Sequence, residues 1–267
     1  MKHLASSRLI VGCYQFRVHP GQVKKNLRQV EEALSWFVDQ GCRLLVLPEM
    51  WSSSFFYDNL PAMARETPMV LDSLQRWCCQ HGLVLVGSLP ELAGDAVYNT
   101  AYVVDASGEI AGSYRKIHLF SVTDETQHFA RGAQPLVCQT QVGRLGIMTC
   151  YDLRFPELAR RLALDDADIL CLGALWPGVR VDHWSLLLRA RALENQMFVL
   201  GCNGCGSEGK TIYGGRSAVV SPKGVLLAEA DNHESKLLAT LDMNELTEFR
   251  RQLPCFQDRS PGVYQVI

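Results

Sequence analysis

Short, nearly continuous apolar runs alternate with stretches of helical periodicity from one end of the chain to the other. That alternation restricts the chain to a layered α/β architecture. LIVGCYQF (9–16) reads as a strand, and Val23, Leu27, Val30, Leu34 and Phe37 then recur at helical spacing until Gly41. RLLVLPE is short and unbroken, as a strand buried on both faces should be. A helix around 68–80, carrying Leu71, Leu74, Trp77 and Cys78, leads to the strand LVLVGSLPE. YNTAYVVDASGEIAGSYRKI predicts a hairpin turning at Asp105-Ala-Ser-Gly.

The second half repeats this grammar. VGRLGIMTC is a strand, FPELARRLAL a helix opened by Pro156, ADILCLGAL a strand, and HWSLLLRARALENQ a helix with Asp182 as its N-cap. MFVLGCN and the hairpin SAVVSPKGVLLAEA follow, then the strand KLLATLDM and the short helix NELTEFRRQL. No linker, repeat or low-complexity stretch divides the 267 residues, so a single domain over 1–267 is expected.

A formal net charge of −2, with acids and bases interspersed, gives no reason to expect nucleic acid or an anionic membrane as partner. No apolar run reaches the ~18 residues of a membrane span, and MKHLASSRLIVGC lacks a signal-peptide pattern. A soluble, cytoplasmic protein is expected. Ten cysteines then read as reduced thiols, with Cys13, Cys42, Cys138, Cys171 and Cys202 inside apolar runs. The lone Cys202-x-x-Cys205 lacks a second pair for zinc and the helix start of a redox motif.

GCGSEGKT, Gly204 to Thr211, matches a phosphate-binding loop letter for letter. Such a loop works only where its Lys-Thr pair opens a helix whose N-terminus faces the anion. IYGGRSAVVSP follows, a β-rich segment in which no helix can start. The stretch is therefore expected to be a Gly-rich exposed loop between strands.

Three strand ends each carry one reactive side chain: Glu49 in LLVLPEMW, Lys116 in GSYRKIHLF and Cys150 in LGIMTCYDLRFPE. Singly, each has an ordinary alternative as a turn acid, a surface lysine or a core thiol. Strand ends in layered α/β folds are nonetheless where ligands gather, so the three can converge on one pocket.

Together, LPE, Y-R-K-x-H-L-F and C-Y-D-L-R-F-P-E in this order resemble the signatures of the nitrilase superfamily of carbon–nitrogen hydrolases. The likeness continues through HWSLLLRARALENQ, YGGRSAVVSPKG and RRQLPCFQDRSPGVY. It implies an α/β fold arranged as a four-layer α-β-β-α sandwich, with a Glu49-Lys116-Cys150 catalytic set and no metal or organic cofactor. Cys150 would be the nucleophile and Glu49 its general base. Lys116 would lower the thiol pKa and stabilise the oxyanion, with the Tyr151 amide as second donor. The family's second glutamate falls at Asp124 or Glu125, and Glu125 is the choice by residue type and spacing. His118 invites a rival Cys-His-Asn reading, as His128 and His183 do less clearly; loop support is the expected role of His118.

Pocket residues are expected after the strands: Phe55 and Phe56, Arg154, and Trp176-Pro177. Arg154 could clamp a substrate carboxylate or pair with Asp152 or Glu157 to hold the nucleophile turn, and the structural pairing is favoured. ALWPGVRVDHW, LGCNGCGSEGK and YGGRSAVVSP look most like the bacterial ω-amidase branch, which acts on 2-oxoglutaramate and 2-oxosuccinamate. The C-terminal segment is also similar to deaminated-glutathione amidases, the close alternative. A non-catalytic binding protein on the same fold is a more distant one. The family implies a small-molecule amide as partner and a homodimer paired through the helix after the nucleophile and the HW…ENQ segment, where Phe155, Leu158 and Leu162 could supply an apolar face.

Overall fold

The structure, a computed structural model, describes residues 8–263. Its first half runs β1 (Arg8–Gln15), α1 (Val23–Asp39), β2 (Leu44–Val46), α2 (Leu60–His81), β3 (Val84–Ala93), β4 (Ala96–Val104) and β5 (Ile110–Arg115). A short helix α3 (Glu125–His128) precedes β6 (Leu136–Thr140), β7 (Gly143–Thr149), α4 (Pro156–Leu164), β8 (Ile169–Ala174), α5 (Val181–Asn195) and β9 (Phe198–Asn203). The hairpin β10 (Cys205–Glu208)/β11 (Thr211–Gly214) leads to β12 (Ala218–Val220), β13 (Leu226–Glu229), β14 (Ser235–Asp242) and α6 (Met243–Gln252).

Two six-stranded sheets result, ordered β14-β1-β2-β3-β4-β5 and β13-β12-β9-β8-β7-β6, each with parallel strands at its centre and antiparallel strands outside. Side-chain alternation decides the layering. Val11 and Cys13, Leu44 and Val46, and Val84 and Val86 join Ile147 and Cys171 of the second sheet in one core. Leu45, Leu47 and Leu85 turn the other way, onto Val30 and Phe37 of α1 and Leu74 and Trp77 of α2. On the far side, Leu158 and Leu162 of α4 and Trp184 and Leu188 of α5 cover the second sheet. The expected α-β-β-α sandwich is the observed one.

Gly173 on β8 sets how closely the sheets meet beside the site. A Cβ there would lie 2.7 Å from the Leu47 carbonyl oxygen and 3.2 Å from the Glu49 nitrogen, so only glycine lets the ends of β2 and β8 approach this closely.

The two hairpin turns stand where the sequence puts them, with Gly108 at φ +86° and Gly224 at φ +74°. The helix expected at 68–80 begins earlier, at Leu60, and carries Pro68 inside it. Leu60, Met63, Ala64, Thr67, Val70 and Leu74 form its buried face, so packing outweighs the proline's local cost. Asp182 is not the N-cap of α5: Arg180 holds that position, and Asp182 sits in the first turn, where its charge opposes the positive end of the helix dipole. The Gly204–Thr211 segment starts no helix; it forms the β10–β11 hairpin with Gly209 at φ +55° in its turn. It is more than an exposed loop, because Glu208, Thr211 and Tyr213 help line the cavity that Glu49, Lys116 and Cys150 also line.

Candidate active site

Glu49 lies just past β2, Lys116 directly after β5, and Cys150 directly after β7; all three face one cavity of about 240 Å³. The Lys116 ammonium donates to Glu49 Oε1 at 2.8 Å and to Glu125 Oε1 at 2.6 Å. All three side chains are almost wholly buried: 1% of Lys116 is exposed, 0% of Glu49 and 2% of Glu125. Such a group is stable only when its charges and hydrogen bonds are mutually satisfied. Asn99 on β4 donates to Glu49 Oε1 at 2.9 Å, the Leu175 amide to Glu49 Oε2 at 3.1 Å, and the Phe120 amide to Glu125 Oε2 at 2.6 Å. Asp124 is exposed and precedes α3, so of the two adjacent acids Glu125 is the one that meets the lysine.

Cys150 leaves β7 with φ +46°, a left-handed conformation that a non-glycine residue adopts at a cost of ~1–3 kcal/mol. It begins a 3-10 turn (Cys150–Arg154), and Asp152 on that turn holds the bend. The buried Asp152 carboxylate accepts from the Thr149 amide (2.9 Å), the Tyr114 hydroxyl (2.7 Å) and the His118 amide (3.0 Å), and pairs with His118 Nδ1 (2.7 Å). The end of β5 and the Cys150 turn are thereby tied to one carboxylate.

Burial pushes the Cys150 thiol well above its ordinary pKa, and the nearby Glu49 carboxylate, to which it hydrogen-bonds, pushes the same way; Lys116 pulls against both. Lys116 thus acts on the thiol in the expected direction, but desolvation and the carboxylate prevail over one cation, and the net shift is upward. Burial alone would lower the lysine pKa, yet Glu49, Glu125 and Cys150 raise it well above the usual range, so the ammonium stays charged. Burial raises the Glu125 pKa, with Lys116 opposing.

Around this cluster, Phe55, Tyr151, Arg154, Trp176 and Pro177 line the cavity as expected. Phe56 does not; its ring packs over Gly21 and into the core beneath α1. Arg154 pairs with neither Asp152 nor Glu157. Its guanidinium lies 4.7 Å from the Trp176 ring and 3.4 Å from His183 Nδ1. The carboxylate of Asp152 is already saturated by other donors, which leaves Arg154 turned to the cavity. Trp176 is held by Asn203 at the end of β9, which accepts from its amide at 2.7 Å and donates to its carbonyl oxygen at 3.2 Å. Among the described residues no histidine lines the cavity. His118 stacks on Phe155 at 3.7 Å, and His128 stacks on Tyr57 at 4.3 Å.

Several lining residues were not anticipated: Tyr57, Phe120, Thr123, Arg180, Glu208 and Tyr213, together with Asn99 behind Glu49. Arg180 follows Trp176-Pro177 closely enough to have been counted with them. Glu208 sits inside the GCGSEGKT stretch, whose resemblance to a phosphate loop drew attention to its glycines and lysine instead.

Comparison with known proteins agrees with this geometry. A model of the carbon-nitrogen hydrolase family matches residues 10–251. The chain is 34% identical over 259 residues to the 2-oxoglutaramate amidase of Bacillus subtilis (strain 168), covering 95% of this chain and 98% of that protein. It is 34% identical over 239 residues to the omega-amidase YafV of Escherichia coli (strain K12), covering 87% of this chain and 90% of the other. The crystal structure of a carbon-nitrogen hydrolase from Helicobacter pylori G27 superposes with a TM-score of 0.91 at 26% identity, over 96% of this chain and 97% of that one. A family match across nearly the whole chain, relatives above 30% identity and a shared fold lead to one conclusion: the chain belongs to the carbon-nitrogen hydrolase family.

Proposed function

We propose that the chain is an ω-amidase that hydrolyses the terminal amide of a small carboxylate-bearing acid such as 2-oxoglutaramate, through a thioester on Cys150. The observation that carries this reading is the buried Glu49-Lys116-Glu125 cluster set against the Cys150 thiol. As the sulfur bonds to the amide carbon, its proton passes to Glu49; a thiol held protonated at rest fits a base placed in direct contact with it. Lys116 and the Tyr151 amide, in the first turn after the nucleophile, stabilise the oxyanion. Collapse expels the nitrogen, which takes the proton from Glu49 and leaves as ammonia. Water then attacks the thioester, giving its proton to Glu49, and the second collapse returns a proton to sulfur and frees the acid. Glu125 keeps Lys116 charged and oriented.

Arg154 and Arg180 are the groups suited to the substrate carboxylate. Both line the cavity, and among the described residues neither has a carboxylate partner. The names of the two similar amidases support the same substrate class. Ammonia release from 2-oxoglutaramate, with deaminated glutathione beside it, tests the assignment. Faster release from 2-oxoglutaramate is expected; preference for deaminated glutathione would move the chain to that branch, and release from neither would remove the amidase reading.

One hydrolase domain acting as a homodimer in the cytoplasm completes the proposal. Leu158 and Leu162 of α4 are used in the core, so an apolar contact falls to α5 instead: Leu186 is 68% exposed, and Leu193, 51% exposed, lies against Gly224 beside Val225, 55% exposed. Ten unbridged cysteines suit a reducing compartment, and among the described residues no helix is long and apolar enough to cross a membrane. Sedimentation equilibrium at micromolar protein tests the dimer.

A further inference from the structure

Glu208, the last residue of β10, brings a carboxylate into the cavity wall that the chemistry above does not use. It is held rather than loose. Its Oε2 accepts from the Ser54 hydroxyl and, at 2.9 Å, from the Tyr213 hydroxyl. Ser54 is fully buried, adopts φ +55° and precedes the lining residue Phe55, and Tyr213 forms an isolated bridge to Pro177, so the carboxylate is clamped from two sides. Among the described residues no donor meets Oε1 and no cation pairs with Glu208. Arg154 lies over Trp176, and the Arg180 guanidinium is 5.7 Å from the Phe120 ring.

Among the described residues, the charged groups lining the cavity are Glu49, Lys116, Glu125, Arg154, Arg180 and Glu208. The catalytic cluster contributes one net negative charge and the two arginines two positive ones, so Glu208 brings the formal charge of the lining to zero. Without it the cavity would be a net cationic trap for anions, including the dicarboxylate that hydrolysis of an ω-amide leaves behind.

We propose that Glu208 is a specificity-determining residue whose clamped carboxylate restricts the cavity to ligands with a single carboxylate and repels those with two. The substrate side of this inference rests on the amidase reading above, whereas the discrimination is a property of binding and is measurable without turnover. In a low-dielectric cavity, unit charges about 10 Å apart at an effective dielectric of ~20 change affinity by about tenfold.

The test is calorimetric binding of succinamate, a monoanion, and succinate, a dianion, to Cys150→Ala and to Cys150→Ala/Glu208→Gln at pH 7.5. Glutamine keeps an acceptor oxygen for Ser54 and Tyr213 and removes only the charge. The expected result is a gain for succinate over succinamate of about tenfold in the double variant. Ser54→Ala in the Cys150→Ala background loosens the clamp but keeps the charge, and should leave the ratio within about twofold. An unchanged ratio in the Glu208 variant, equal weakening of both ligands, or binding of neither ligand to any variant would overturn the proposal. If the wild type released no ammonia from any ω-amide while the ratio still shifted, the amidase reading would fall and the role of Glu208 would stand.

Discussion

The carboxylate of Asp152 binds both the backbone amide of His118 (3.0 Å) and its Nδ1 (2.7 Å), and so links the Cys150 turn to the segment that carries Lys116. Asp152 touches none of the reacting groups, yet it sets the distance between the cation and the thiol.

Removing that link should damage stability and activity together. Asp152→Ala strands buried donors from Thr149, Tyr114 and His118 and is expected to cost about 3 kcal/mol. Urea unfolding checks the stability, and kcat at a temperature where the variant is folded should still fall, since the turn is no longer fixed.

His118 is placed to support and Glu49 to move protons, and their variants should separate the two roles. Glu49→Gln is expected to lower kcat by roughly 10²–10⁴-fold, the usual contribution of a general base. His118→Asn should cost less than about tenfold and leave the pH profile of kcat/KM unchanged, because its ring pairs with Asp152 and stacks on Phe155 rather than facing the cavity. A loss as large as that of Glu49→Gln would restore a histidine mechanism.

The arginine pair predicts a split between charged and neutral substrates. Arg154→Gln and Arg180→Gln should each reduce kcat/KM for 2-oxoglutaramate by roughly 10–100-fold, the size of a lost charge-assisted hydrogen bond. Turnover of a neutral amide such as butyramide should change little. Equal losses on both substrates would mean that the arginines hold the cavity walls instead.

Stability should decline above about pH 9. Burial pushes the thiols of Cys42 and Cys78 up to about 12 and those of Cys138 and Cys205 up to about 11, from an unfolded value of 9.0. Between these values the native state holds protons that the unfolded state has released, so unfolding becomes easier as pH rises. The contribution is complete below pH 9 and is lost progressively up to about 12. Denaturant midpoints at pH 7.5, 9 and 10.5 should fall in that order; a flat or rising series would contradict the burial of these thiols.

Much of this architecture was readable from the chain because each reactive residue stands where an apolar run stops. Glu49, Lys116 and Cys150 are at strand ends, and layering brings strand ends together. What stayed hidden depended on contacts distant in sequence. Pro61 and Pro68 masked the first two turns of α2, whose buried face overrides them. Phe56 resembled a pocket residue by adjacency to Phe55, but its ring turns to Gly21. Arg154 could be given a structural partner only until Tyr114 and His118 were seen to occupy Asp152. Glu208 gained meaning only when Ser54, 154 positions away, was found bonded to it.

Acid-quenched mass spectrometry of enzyme turning over 2-oxoglutaramate reads out whether Cys150 carries the acyl group between the two chemical steps. A thioester adduct with the mass of the acyl group, located on the Cys150 peptide and absent together with ammonia release in Cys150→Ala, is the predicted result. Steady ammonia release without any adduct on Cys150, persisting in Cys150→Ala, would mean that Cys150 is not the nucleophile.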